Sequence, residues 1–345
     1  MLFLPTLRAP RVLWGGVLLA GVFLASPVDA ADPPCEFENI ERVVAVGDVH
    51  GAYDRFVEIL RAAGVVDARG RWAGGKTHLV QLGDVVDRGP DSRKVLDLLQ
   101  QLERDAPKSG GRVHALLGNH EAMRLIGDAR YIVPGEYAAF RTSDSVDLRT
   151  QVVESLAAEV RDQVMSETPL GRIEMLRAFG QDGAYGKFLR GLNAVVRING
   201  VLFMHGGISS PVAPLSCAEL NARVRKELSA DLENTKKAPE ATLAAGEDGP
   251  LWYRGLASEP DSFAPRLDEI LKAQHATAIV IAHTVQTNGR IGVRFGGRVF
   301  VIDTGMQPAY VKTGAASALE LRNGTFTAIY ANRTEVIGSA PPTTR

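Results

Sequence analysis

The feature that most constrains the fold is a pattern repeated three times. Apolar runs at residues 42–46, 77–82 and 112–117 each stop at a glycine, and each glycine is followed by Asp or Asn: Gly47-Asp48, Gly83-Asp84 and Gly118-Asn119. The runs recur about every 35 residues, the length that a crossover between parallel strands requires. The stretches between them have helical spacing. Phe56, Ile59 and Leu60 share one face of residues 52–63, and Val95, Leu98, Leu99 and Leu102 share one face of residues 91–102. Such a chain is α/β, and its polar turns gather at the carboxyl ends of parallel strands, where ligands bind in open α/β sheets. The glycines allow the backbone to turn sharply there and approach an ion closely.

The turns read in full Gly47-Asp48-Val49-His50-Gly51, Gly83-Asp84-Val85-Val86-Asp87-Arg88-Gly89 and Gly118-Asn119-His120-Glu121. Two later apolar runs end alike, residues 201–204 at His205-Gly206-Gly207 and residues 279–282 at His283-Thr284. One Gly-Asp after a strand is an ordinary turn. Five such ends carrying Asp, Asn and His together predict a metal site. Oxygen and nitrogen donors without a thiolate suit Mn, Fe or Zn, with Mn favoured, and not a structural zinc knot. Two aspartates, one asparagine and three histidines exceed what one ion takes, so two divalent ions sharing a carboxylate are expected. His78 and His114, inside strands, and His275, at a helix end, read as structural.

The 345 residues are 45% hydrophobic and 23% charged, which excludes a disordered chain and leaves ample material for a core. Lys+Arg 39 against Asp+Glu 40 gives no overall field for nucleic acid, so an anionic substrate must be held locally. Residues 1–30 have two early arginines, an apolar stretch from Val12 to Ala25 and small residues before Ala31, the pattern of a secretory signal peptide cleaved after Ala30. A periplasmic or secreted protein is therefore expected. No later segment is long and apolar enough to span a membrane, so no membrane association is expected after cleavage. Export makes a Cys35–Cys217 disulfide possible, and two unpaired thiols remain the alternative.

Residues 31–40 read as an extended lead-in, residues 41–335 as one catalytic domain and residues 336–345 as a flexible tail. Residues 121–193 read as mostly helical, with Val152, Val153, Leu156, Val160 and Val164 as an apolar stripe. Residues 231–250, rich in Ala, Glu, Lys and Gly, read as a mobile insertion. Short strands follow residue 289, with a hairpin turn at Asn323-Gly324.

Taken together, these motifs resemble the calcineurin-like metallophosphoesterase superfamily. The Asp-Arg-Gly extension at Asp87-Arg88-Gly89 is similar to its phosphoprotein phosphatase branch. Residues 123–131 (Met-Arg-Leu-Ile-Gly-Asp-Ala-Arg-Tyr), 249–255 (Gly-Pro-Leu-Trp-Tyr-Arg-Gly) and 303–306 (Asp-Thr-Gly-Met) resemble bacterial Shewanella-like protein phosphatases. The resemblance implies a central β-sandwich flanked by helices, four layers in αββα order, with a helical insert after the third strand. It implies one ion on Asp48, His50 and Asp84 and a second on Asp84, Asn119, His205 and His283. It also implies His120 as general acid with Asp87 holding its ring, and Arg88, Arg254 and Asn119 on the phosphate.

The implied chemistry is hydrolysis of a phosphorylated Ser, Thr or Tyr by hydroxide shared between the ions, attacking in line, with no covalent phosphoenzyme. Dinucleoside polyphosphate hydrolysis, small-molecule phosphatase or phosphodiesterase activity, and a non-catalytic metal-dependent binding protein are the alternatives. Several residues have plainer readings. Asp87 and Arg88 pair with each other, Arg254 stacks on Trp252 or Tyr253, Glu121 is a first-turn carboxylate, and Asp303 fixes a strand-end turn. Arg124 stands where the family usually has Asn, and altered substrate contacts are expected from it.

Overall fold

Residues 32–339 are described by a computed structural model of the chain. The leader expected over residues 1–30 and the last residues of the expected tail lie outside them. The strands, in chain order, are β1 (Glu36–Phe37), β2 (Arg42–Val46), β3 (His78–Gln81), β4 (Arg112–Ala115), β5 (Val195–Ile198) and β6 (Val201–Met204). They continue with β7 (Ala278–Ile281), β8 (Gly292–Arg294), β9 (Val299–Val301), β10 (Ser317–Arg322), β11 (Thr325–Tyr330) and β12 (Arg333–Ser339). One six-stranded sheet has the order β12-β11-β10-β2-β3-β4 and the other β1-β5-β6-β7-β9-β8.

Alternation along each strand builds the layers. In β2 every apolar residue is buried, but Val43 and Ala45 face the second sheet while Val44 and Val46 face the helices. Val43, Ala45, Val80 and Leu82 share a core with Val196, Phe203, Val280 and Phe300 across the sandwich. Strands buried on both faces read as unbroken apolar runs, which is why these segments carry no polar alternation. Helices α1 (Tyr53–Ala62) and α2 (Ser92–Asp105) cover the outer side of the first sheet, burying Phe56, Ile59 and Leu60 and then Val95, Leu98, Leu99 and Leu102.

After β4 come α3 (Asn119–Ile126), α4 (Pro134–Ala138), α5 (Ser145–Glu154), α6 (Arg161–Glu167), α7 (Arg172–Phe179) and α8 (Ala184–Arg190), the expected helical insert. The later helices are α9 (Cys217–Glu227), which lies against β5, then α10 (Leu232–Lys237), α11 (Gly255–Ser258) and α12 (Ala264–Ala273). No helix among the described residues is long and apolar enough to cross a membrane.

Four expectations change. Residues 336–339, placed in the flexible tail, belong to β12, which pairs with β11 and packs Ile337 against the inter-sheet core. Residues 231–250 are folded, not a loose insertion. Leu243 and Ala244 are buried, and the Ala244 N–H donates to Glu227 at 2.8 Å. The stripe from Val152 to Val164 is broken between α5 and α6; Val153 is buried and Val160 is exposed. The cysteines, left open by the sequence, meet: a Cys35–Cys217 disulfide joins the lead-in to the first turn of α9, with Cα atoms 6.2 Å apart. The lead-in is further tied down by β1, which pairs in parallel with β5. Phe37 of β1 meets the rings of His78 and His114 edge-on at 5.5 and 4.7 Å, and those imidazoles face each other with nitrogens 3.0 Å apart.

Candidate metal centre

In both sheets the parallel strands point the same way into one region. β2, β3 and β4 of the first sheet end near Asp48, Asp84 and Asn119, and β6 and β7 of the second end near His205 and His283. The sandwich therefore brings strand ends together from segments more than 200 residues apart. Asp48, His50, Asp84, Asn119, His205 and His283 are all buried, and Asp84 lies at their middle.

The turns are stitched together by backbone. Val49 and His50 N–H groups donate to the Asp84 carbonyl at 3.0 and 2.9 Å. A Cβ on Gly83 would lie 2.2 Å from the Gly118 nitrogen, so only glycine lets these two turns touch. Glu121 completes the join. Its carboxylate, fully buried, accepts N–H bonds from Asp84 (2.7 Å), Val85 (2.9 Å), Val86 (3.2 Å) and Gly118 (2.8 Å). It is thus a staple between two ligand-bearing turns and more than a first-turn charge. Five site residues, His50, Asp84, Asp87, Arg88 and His283, hold φ between 48° and 68°. Non-glycine residues in this left-handed region cost about 1–3 kcal/mol each and collect where function over-determines the backbone.

The donor set fits cations. The His50 Nδ1–H donates to the Val86 carbonyl (2.9 Å) and the His205 Nδ1–H to the Leu82 carbonyl (2.8 Å), which leaves each Nε2 lone pair facing inward. The His205 Nε2 then lies 2.9 Å from Asn119 Oδ1, 3.1 Å from His283 Nδ1 and 3.3 Å from Asp84 Oδ2. Lone pairs converging on lone pairs are unfavourable unless positive charge sits between them. His283 Nε2 is buried without a partner. Two groups of converging ligand atoms occur among the described residues, His50–Asp84–His120 and Asp84–His205–His283, and Asp84 is common to both.

Titration follows the same geometry. Burial pushes His50 down to about 4 and His283 to about 2, so both imidazoles are neutral near pH 7, the form that can ligate a cation. Asp84 is held well below the usual carboxylate range, because burial is outweighed by His205, His120 and His50. Burial, reinforced by Asp303 and Asp84, pushes Asp48 up, and the site would need a cation to hold that carboxylate ionised. Asp303 accepts the Gly305 N–H at 3.0 Å, the strand-end role expected of it, and burial pushes it to about 6.

Beside the ligands, His120 Nδ1 is 2.7 Å from Asp87 Oδ2. Burial opposes charge on His120, but Asp84 and Asp87 outweigh it and raise the imidazole. Asp87 therefore pairs with His120, not with Arg88. Its other oxygen bonds Arg124, whose guanidinium also reaches Glu136 at 2.9 Å and lies over Phe179. Arg124 does not line the cavity, contrary to the substrate role expected for it, because these two carboxylates draw it inward. Arg254 does line it. It donates to the His283 carbonyl at 2.7 Å and Thr284 Oγ1 at 3.2 Å, and so is anchored by hydrogen bonds at the end of β7, where its plainer reading was stacking on Trp252 or Tyr253.

The cavity over the ligands holds about 280 Å³ and is walled by Met123, Ile126, Tyr131, Trp252, Val285 and Tyr310, with Arg88, Arg130 and Arg254 supplying cations. The folded 231–250 segment contributes Pro239 and Ala245. Tyr310 was missed from sequence, since the loop after β9 has no periodicity. The role of Glu121 had a legible signal: it is the third helical residue after Gly118, the capping-box position.

A model of the family of calcineurin-like phosphoesterases matches residues 41–287. An uncharacterized protein of Schizosaccharomyces pombe is 35% identical over 276 residues, covering 78% of this chain and 74% of that protein. Shewanella-like protein phosphatase 2 of Arabidopsis thaliana is 27% identical over 327 residues, covering 88% and 81%. The crystal structure of a cold-active protein-tyrosine phosphatase of a psychrophilic Shewanella species superposes with a TM-score of 0.71 at 31% identity, covering 89% of this chain and 83% of that one. The family fold implies divalent metal ions, which the converging ligands here are suited to hold. With the two-sheet fold and the match across most of its length, the chain belongs to the calcineurin-like phosphoesterase family and is a metal-dependent hydrolase of phosphate esters.

Proposed function

We propose that this protein is an exported, two-metal phosphomonoesterase acting on phosphoproteins, with phosphotyrosine preferred. The observation that carries the reading is the pair of ligand groups joined at Asp84, with the His120–Asp87 pair beside them under one cavity. Asp48, His50 and Asp84 would hold one ion, and Asp84, Asn119, His205 and His283 the other. The first ligand group also admits His120, but its hydrogen bond to Asp87 and its place on the cavity wall favour proton transfer. Manganese suits the oxygen- and nitrogen-rich set, with Fe or Zn as alternatives. The cations would lower the pKa of water and offset charge on phosphoryl oxygens.

The chain's own residues do the rest. Arg88, Arg254 and Asn119 hold phosphoryl oxygens and orient the ester. Charge-assisted bonds from the arginine forks match these oxygens and strengthen as charge builds on them. Asp87 fixes the ring of His120 so that Nε2 faces the leaving oxygen. His120 delivers a proton there, which matters most when the leaving group is a poor alkoxide. The aromatic and apolar walls suit an aryl ring, and relatives named as protein phosphatases support a phosphoprotein substrate. The leader pattern and the joined cysteines support export to an oxidising compartment.

The test is a substrate panel with the Mn-loaded protein: phosphotyrosine, phosphoserine and phosphothreonine peptides, nucleotides and diadenosine tetraphosphate. Phosphotyrosine peptides are expected to have the highest kcat/KM, and Asp84→Asn to abolish turnover. Preferential cleavage of the dinucleotide would replace the substrate assignment, and full activity of Asp84→Asn would remove the metal assignment.

A further inference from the structure

Arg88 is gripped in an unusual way. Its backbone N–H donates to the Tyr131 carbonyl at 3.0 Å, and its φ is 65°. Its guanidinium carbon lies 4.4 Å from the Tyr131 ring centroid and 3.9 Å from that of Tyr310. The two rings come from separate loops, one after α3 and one after β9, and the cation lies over both. Arg88 Nε is buried without a hydrogen-bond partner. Each ring also touches the site: Tyr131 lies 5.0 Å from the ring of His120, and Tyr310 meets His50 edge-on at 5.7 Å. No carboxylate pairs with Arg88 among the ion pairs of the described residues.

A guanidinium donates only in its own plane. Covering its faces with aromatic rings strips water from the faces and leaves the N–H edge as the place to bind. A free arginine side chain samples many rotamers, and ligand binding would have to overcome that entropy. A cation–π contact is attractive and strengthens as the cation is desolvated. The stack therefore restricts the side chain before any ligand arrives.

We propose that Tyr131 and Tyr310 are positioning residues that hold the Arg88 guanidinium edge-on to the phosphoryl site, so that phosphate affinity depends on a preformed Tyr–Arg–Tyr stack. This rests on the reading of Arg88 as a phosphate-binding group. The stack orients Arg88 through its faces, whereas Arg254 is oriented through hydrogen bonds to the β7 end. Because the contact with Arg88 is made by the rings and not by the phenol oxygens, phenylalanine should preserve the stack at both positions.

The experiment measures inorganic phosphate binding to the Mn-loaded protein by calorimetry, alongside KM and kcat on phenyl phosphate. Tyr131→Leu and Tyr310→Leu are each expected to raise the phosphate Kd and the KM about three- to tenfold with kcat within about threefold. Tyr131→Phe and Tyr310→Phe are expected to stay near wild type, which separates stacking from hydroxyl chemistry and from misfolding. In an Arg88→Leu background, Tyr310→Leu should weaken phosphate no further. Wild-type phosphate affinity in both leucine variants, or an equal loss in the Arg88→Leu background, overturns the stack. Unchanged affinity in Arg88→Leu alone overturns the phosphate role of Arg88 and the positioning role with it. Failure to hydrolyse any phosphoprotein, with the binding pattern intact, would strike only the substrate assignment.

Discussion

Arg124→Met should expose how the proposed general acid, His120, is anchored. The Arg124 side chain is 3% exposed, and the two carboxylates it bonds, Asp87 and Glu136, are each 1% exposed. Burial pushes Glu136 upward even with the cation present, while His120 and Arg124 together outweigh burial to hold Asp87 down. Methionine fills similar space beside Met175 and Phe179 but leaves two carboxylates facing each other without a cation. Breaking a buried ion pair in this one-sided way costs about 3–5 kcal/mol. At about 2.1 cal/mol/K of unfolding entropy per residue, that lowers the Tm of a chain of this size by about 5–8 °C.

Glu136→Gln in the same background removes the surplus charge and should recover roughly half the loss, leaving Asp87 paired with His120. The double-mutant cycle, followed by urea denaturation at pH 7, should give a coupling of about 1–3 kcal/mol. Activity should fall unevenly. A loosened Asp87 hurts proton delivery by His120, so alkyl phosphates lose more kcat than 4-nitrophenyl phosphate, whose leaving group needs no proton. The reasoning is refuted if Arg124→Met unfolds within about 1 kcal/mol of wild type and the cycle shows no coupling.

Glu121→Gln places an amide N–H₂ opposite backbone donors now bonded to a carboxylate, and should cost about 2–4 kcal/mol and loosen metal binding; metal content after dialysis and a urea titration measure both. His120→Asn should lower kcat on alkyl phosphates about 10²- to 10⁴-fold while metal content stays at the wild-type level, so steady-state turnover and metal analysis check the assignment together. Burial pushes His78 down to about 4 and His114 to about 3, so folding stability from this pair is present above pH 6.5 and lost as pH falls toward 4. The slope should approach about 1.4 kcal/mol per pH unit for each imidazole, and the gap between wild type and His78→Gln/His114→Gln should narrow across that interval in denaturation experiments. Cys35→Ser/Cys217→Ser should destabilise the protein by about 2–5 kcal/mol, a difference that should vanish if both proteins are unfolded in a reductant.

What the sequence determined by itself was the set of candidate ligands and the strands that carry them. Apolar runs closed by glycine, and glycine followed by Asp, Asn or His, are local patterns, so Asp48, Asp84, Asn119, His205 and His283 were legible without coordinates. The hairpin at Asn323-Gly324 was legible for the same reason, since Gly324 takes the left-handed conformation that its turn demands. Only the tertiary structure decided what neighbours what. Glu121 stapling two turns, Arg124 drawn away from the cavity toward Asp87 and Glu136, and Tyr310 closing on Arg88 all depend on long-range packing. Their meaning lies in a partner far along the chain, and no local periodicity encodes which buried charge or ring face will be waiting there.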